Sequence, residues 1–557
     1  MNGDFKTDIT RDTYRKHKNF SRVLMQQGRV QLDADWNEQT DILLHYLRRI
    51  TTDIVGPHAG PSDDLGFGIG VYKPPVQKSG GKQSGSKKKG EQKSADQPDT
   101  SYKVVIEGGR YYVDGLLCEN EDDDGFVYTI EDEQQTAATN GNLLFYLDVW
   151  EREVTYLEDD SIREVALNGP DTATRAEIIW QVRTQATVDH PEIAPPNPDQ
   201  LKQLGDFVTL LTETLEDNAP DFLNPDPKKP VVGKPYLKAR TLPIDEQDAT
   251  DPCITPPSSQ YRGEENQLYR VEVHTSGYGR LDQNQLQQLR SQGRQTGDTG
   301  TSKTSGSQTM ATFKWSRENG SVVFPITSPV SSVGATPTST ASGGSNTLTV
   351  TVANLGRDDS RYTLHIDDWV EIVEYEDTLE RQPGNLAQVT AVDFTTMQVS
   401  LAAYNNGTIA FDSDSDPSKQ LLLRRWDYQE MDPSNKGATK LDADGALEIF
   451  ENHWITLEDG VQVLFHHDID RKPDSDADDL IPYYRTGDYW LIPARTATGD
   501  IEWPQHHKEH VALPPHGVKH HFAPLAYVHL NDNHQLTDLS QVTDLRRTII
   551  KGWVQKV

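Results

Sequence analysis

Six histidines, His506, His507, His510, His516, His520 and His521, fall within sixteen residues, and imidazoles at that density are the raw material of a transition-metal centre. Were the segment helical, His506 and His510 would share a face. Pro504, Pro514 and Pro515 break it up, and Glu509 is the one carboxylate in a ligand-like position, so hydrogen-bonded loop histidines without a metal are expected. Three acidic stretches, DSDSD at 412–416, DADG at 442–445 and DSDADD at 474–479, raise calcium instead. An EF-hand loop needs glycine at its sixth position and a bidentate acid at its twelfth. Counted from Asp412 those positions are Pro417 and Leu423, and from Asp474 they are Asp479 and Arg485, so acidic turns are the expected reading. No phosphate loop, GxSxG elbow or HExxH motif is present. A pair of carboxylates facing each other across a cleft leaves no local signature, and it is the catalytic arrangement that motifs leave open. The chain therefore reads as a non-enzyme with no cofactor.

The elements that would position any site begin with a helix after Asp33. Trp36, Leu43, Leu47, Ile50 and Ile54 recur at spacings of seven, four, three and four, forming one apolar stripe. Asp35 is the expected N-cap, Glu38 completes a capping box, and Gly56-Pro57 supplies the stop. Gly28 allows a tight turn upstream. After Tyr102 short β-type runs separated by Gly, Asp and Asn dominate, and they predict a mainly β, multidomain chain of sandwich-like or barrel-like modules. Tyr269, Val271 and Val273 alternate with Arg270, Glu272 and His274, the pattern of a strand with one dry face; Leu348, Val350 and Val352 alternate likewise. A second helix is expected where Leu204, Phe207, Val208, Leu211 and Leu215 line one side. Polar stretches suggest the organisation: an N-terminal helical arm (1–70), a linker (77–99), a first β domain (102–274), an insertion (277–308), a second β domain (309–430, interrupted at 327–346) and a C-terminal β and loop-rich domain (431–557).

The balance of 54 Lys+Arg against 86 Asp+Glu, a formal charge of -32, argues against binding a phosphate backbone. No run is long and apolar enough to span a bilayer, and residues 1–18 do not read as a secretory signal. Cytoplasmic synthesis is expected, and if the chain leaves the cell something other than the general secretory route must take it out. The two cysteines, Cys118 and Cys253, are then free thiols.

The segment FSRVLMQQGRVQLDADWNEQTDILLHYLRR, residues 20–49, resembles the N-terminal signature of a family of functionally uncharacterised proteins found beside phage-tail-like contractile injection genes. It is similar to segments of some phage tail and baseplate proteins, and further stretches at 144–183, 261–274, 313–326 and 484–526 carry the same resemblance. It implies a baseplate, tail-tip or peripheral component, held by other subunits of a contractile injection particle and present as a three- or sixfold homo-oligomer, with the stripe of Trp36, Leu43, Leu47, Ile50 and Ile54 as assembly interface. Two other readings stand beside it. One is a surface-binding or glycan-binding module using exposed aromatics, although Trp150, Trp180, Trp315, Trp369, Trp426, Trp454, Trp490 and Trp503 all lie in or beside β-like runs where core packing is expected. The other is a carried hydrolase with a dispersed carboxylate site.

Overall fold

The computed structural model describes residues 3–72, 102–122, 124–130, 142–169, 171–187, 235–243, 260–281, 287, 310–330, 347–356, 361–380, 382–407, 409, 421–431, 437–466, 482–530, 536 and 538–549. The linker at 77–99, the helix expected at Leu204–Leu215, most of the two later insertions, the acidic stretches 412–416 and 474–479, and Cys253 lie outside these residues. The chain is mainly β, with one long helix, α1 (Asp33–Val55), and one short helix, α2 (Tyr375–Glu380), among the described residues. It divides into two compact units: Met1–Asp41, Arg152–Glu177 and Asp226–Val518 form the first, and Ile42–Glu151, Ile178–Pro225 and Lys519–Val557 the second.

The first unit contains a closed antiparallel barrel. Its strands follow the order Val323–Val330, Thr347–Val352, Gln398–Ala402, Asn385–Asp393, Trp369–Glu374 and Leu421–Trp426, the last pairing with the first. Alternation decides which side chains fill it: Leu348, Val350 and Val352 point into the core with Val370, Ile372, Val399 and Leu423, while the Thr349 hydroxyl lies 3.2 Å from the Ser400 hydroxyl. Closure removes the unpaired edges that an open sheet of this length would present. Beside the barrel a five-stranded sheet runs Leu447–Glu448, Thr312–Ser316, Gln267–Val273, Tyr489–Arg495, Asp500–Ile501. Its core shares Trp369 and Trp426 with the barrel strands that carry them. Residues 277–281, which the sequence pattern places in an insertion, begin with the strand Gly277–Tyr278, paired to Tyr483–Tyr484.

The strand Gln267–Val273 differs from its expected form. Tyr269, Val271 and Val273 are buried as predicted, yet Arg270, Glu272 and His274 on the other face are buried too. Their charges escape water because residues 3–9 and the barrel cover them, and because each finds a charged or polar partner there.

In the second unit a four-stranded sheet runs Val542–Asp544, His521–Val528, Leu143–Val154, Arg175–Ala186. A second four-stranded sheet has the order Thr548–Ile549, His58–Pro61, Gly109–Val113, Leu116–Asn120. The strands Ile69–Val71, Tyr102–Ile106 and Phe126–Ile130 form a third. Their shared core gathers Val104, Ile106, Tyr111, Phe145, Leu147 and Leu525, with the Cys118 thiol buried among them as a free thiol and pushed up to about 12 by that burial.

Helix α1 starts three residues earlier than its local signals indicate. The Leu32 carbonyl accepts from the N–H groups of Asp35 (3.2 Å) and Trp36 (3.4 Å), so Asp35 lies inside the first turn. Asp33 does not cap either; its carboxylate accepts from the Thr10 N–H and hydroxyl, both at 2.8 Å, and Glu38 accepts from the Thr13 hydroxyl at 2.7 Å. A tertiary partner has thus taken Glu38, which the capping-box pattern assigned to the helix end. The stop falls where expected: Gly56 adopts φ +94° and donates to the Thr52 carbonyl at 2.8 Å. Gly28, at φ +71°, turns the chain just before the helix.

Candidate functional site

The stripe on α1 is not covered. Trp36 is 72 % exposed, Leu43 58 %, Leu47 60 %, Ile50 54 % and Ile54 79 %, and Tyr46 beside them is also exposed. The rest of the helix is held from behind: Ile42 is 1 % exposed, the Arg48 guanidinium donates to Glu151 at 2.6 Å, and the Thr52 hydroxyl donates to Asp114 at 3.3 Å. All five predicted residues therefore lie on one free helix face. Phe20, Leu24, Met25, Val30 and Leu32, just upstream, are exposed as well, so the segment read as a family signature is also a run of uncovered apolar side chains. Scattered single exposures need no explanation, whereas contiguous exposed apolar runs of this kind are uncommon on a folded chain.

The covered face of Gln267–Val273 carries a buried charge cluster, which sequence reasoning missed. Arg270 donates to Glu272 at 2.5 Å, to Asp4 at 2.9 Å and to the Phe5 carbonyl at 3.0 Å, and its guanidinium lies 3.6 Å from the Tyr489 ring centre. Lys314 donates to Glu371 at 2.6 Å, and the Trp426 indole N–H donates to the other oxygen of that carboxylate at 2.8 Å. Burial alone would raise Asp4, Glu272 and Glu371; the ammonium and guanidinium groups around them outweigh it and hold all three below the ordinary carboxylate range. Burial, helped by Lys314, pushes His274 down to about 3, which keeps it neutral.

A cleft of about 160 Å³ opens nearby, lined by Arg317, Arg361, His365, Asp368, Arg425, Trp426, Asp427, Tyr428 and Gln429. Behind it stand two carboxyls that burial pushes up to about 7, Glu318 and Glu458. Such values suit a general acid, but Glu318 is gripped by Arg425 and Arg361 at 3.1 Å each, and Glu458 by Arg317 at 2.8 Å and the Tyr269 hydroxyl at 3.0 Å. Neither lines the cleft, and the lining residues include no serine, threonine or cysteine. Each of these two acids is thus paired with arginine.

The histidine run divides among separate partners. Gln505–His506 and Glu509–His510 form a β-hairpin, with His507 and Lys508 left-handed at its turn, so the helical face that would align His506 with His510 does not exist. His516 stacks on Tyr489, His520 stacks on Trp150 and bonds to the Asp148 carboxylate, and His521 meets Asp114 at 2.7 Å. No group of three or more His, Cys, Asp or Glu that could hold a metal occurs among the described residues. The DADG stretch is a turn in which the Asp442 carboxylate accepts from the N–H groups of Asp444 at 3.0 Å and Ala446 at 2.9 Å. Of the eight tryptophans in β-like runs, six are buried, and Trp180 and Trp454 are half-buried.

One histidine outside the run titrates in a useful range. His58 is fully buried, its Nδ1 lies 2.8 Å from the Tyr111 hydroxyl, and burial, aided by Arg547, pushes it down to about 4. The folded chain thus keeps His58 neutral, while the unfolded chain takes up a proton below about 6.5. Stability from this group is fully present above that value and is lost as pH falls towards 4, by about 3 kcal/mol in all. Denaturant titrations at pH 7 and pH 4.5 should show the wild type losing more stability than His58→Gln. Parallel losses would refute this assignment.

A closed six-stranded barrel, a five-stranded sheet and an amphipathic helix define a mainly β, multidomain protein whose most evident surface feature is the uncovered apolar face of α1. The chain matches the family described as a family of unknown function (DUF6519) over residues 1–203 and 231–535, and it belongs to that family. Neither a curated protein nor a solved structure matches it. No helix among the described residues is long and apolar enough to cross a membrane.

Proposed function

We propose that this protein is a non-catalytic architectural subunit that joins a larger assembly through α1, and that the assembly is a contractile, phage-tail-like injection particle in which it serves as a baseplate, tail-tip or peripheral component. The observation that carries the first half is the uncovered face of Trp36, Leu43, Leu47, Ile50 and Ile54 on a helix fixed from behind. The particle is suggested by the resemblance of residues 20–49 to segments of phage tail and baseplate proteins. A sugar-binding face would need exposed indoles, and six of the eight tryptophans in β-like runs are buried, while the exposed Trp36 stands in line with aliphatic side chains on α1. The cleft that a hydrolase would use has walls whose charges are already paired.

Cryo-electron microscopy of purified particles tests this reading. Density for the chain at three- or sixfold positions is expected, and Leu47→Glu should reduce incorporation while leaving the melting temperature of the isolated protein within about a degree, as for an exposed substitution. A particle complete without the chain overturns the proposal.

A further inference from the structure

The uncovered residues of α1 have a spacing narrower than core packing requires. Trp36, Leu43 and Ile50 are seven apart, and Thr40, Leu47 and Ile54 each follow one of them by four, so the seam advances in steps of four, three, four, three and four. A repeat of 3.5 residues is the a/d pattern of a coiled coil, in which side chains of one helix enter holes on another. A sheet or a loop would not call for it. The covering element is therefore a helix.

Its flanks say which helix. The positions bordering the seam are Asn37, Leu44 and Thr51 on one side and Gln39, Tyr46 and Asp53 on the other, a single charge among six in a chain of formal charge -32. Coiled coils choose unlike partners through charges at these positions, and identical helices associate when no like charges oppose each other there. With more than half of each apolar side chain uncovered, the face offers on the order of 600–700 Å², close to what one partner contributes to a stable interface. An anionic lipid surface is a poor alternative for so acidic a chain.

We infer that α1 pairs with α1 of a second copy of this chain, through a coiled-coil seam centred on Leu43, Leu47 and Ile50. This rests on reading α1 as an assembly surface and names its partner. Thr40, whose hydroxyl bonds to its own helix's Trp36 carbonyl at 3.2 Å, is the one polar group in the seam, so it weakens a contact that Leu would strengthen.

Sedimentation equilibrium of the full chain at micromolar concentrations tests the pairing. A reversible dimer is expected for the wild type, a monomer of unchanged melting temperature for Leu47→Glu, and a Kd roughly tenfold lower for Thr40→Leu, from two added buried side chains per dimer. A wild-type monomer overturns the inference, because the seam is then covered by the chain's own residues or by another protein. So does a dimer that survives Leu47→Glu and does not respond to Thr40→Leu. Failure here is separable from failure of the particle reading: a monomer that still enters particles sinks only the pairing, and a dimer absent from particles sinks only the particle.

Discussion

Arg270→Ala is expected to cost the first unit about 3–5 kcal/mol, seen as a large fall in the denaturant midpoint, because it leaves buried carboxylates short of a cation. The wild-type guanidinium is fully buried and binds Glu272, Asp4, the Phe5 carbonyl and the Tyr489 ring at once. Removing it loses those bonds, opens a cavity, and strands Asp4 and Glu272 with only Lys6 and Lys314 to balance them. Arg270→Met separates the contributions by restoring most of the volume without the charge. It should remain well below the wild type, whereas Arg270→Met combined with Glu272→Leu should recover a substantial part, since the pair is then removed together. If Arg270→Met matched the wild type, the cluster would be packing and not electrostatics.

Trp369→Ala should lose a comparable amount, about 3–5 kcal/mol, for a different reason. Trp369 is paired with Trp426 across neighbouring barrel strands, and its ring stacks on Tyr428 at 5.3 Å and meets Tyr404 at 5.8 Å. It lies so close to Gly445 that a methyl there would sit 2.5 Å from the indole, which leaves little slack for the surroundings to collapse into the space. Because the ring belongs to the core beneath the five-stranded sheet while its strand belongs to the barrel, one cavity would loosen both. Hydrogen exchange should show faster opening in the strands Trp369–Glu374 and Thr312–Ser316 together. Protection lost in the barrel alone would show that the two pack independently.

Much of this was legible in the sequence wherever one face was dry and the other wet. The alternation at 348–352 identified a strand and its inward side, and the spacing from Trp36 to Ile54 identified the helix and the stripe that proves to be exposed. Local pattern misled at Gln267–Val273, because Arg270, Glu272 and His274 look like a solvent face and are covered by partners far away, Asp4 being 266 residues from Arg270. Local pattern misled at the start of α1 as well: Glu38, assigned to a capping box with Asp35, accepts from Thr13 instead, and the helix begins ahead of Asp35. The cleft had no signal, since Arg317, Arg361, Asp368 and Arg425 meet through barrel closure and not through spacing.

The bond from the Tyr489 hydroxyl to the Gly3 carbonyl spans 486 residues. A ribosome adding about 5–20 residues per second makes Gly3 tens of seconds before Tyr489 exists. Throughout that interval Asp4 and Lys6 have no finished pocket to enter, because the strand Tyr489–Arg495 that completes the sheet around Arg270 has not been made. The pocket around Arg270 therefore cannot be completed until Tyr489 has been made, and residues 3–6 take their places in it late.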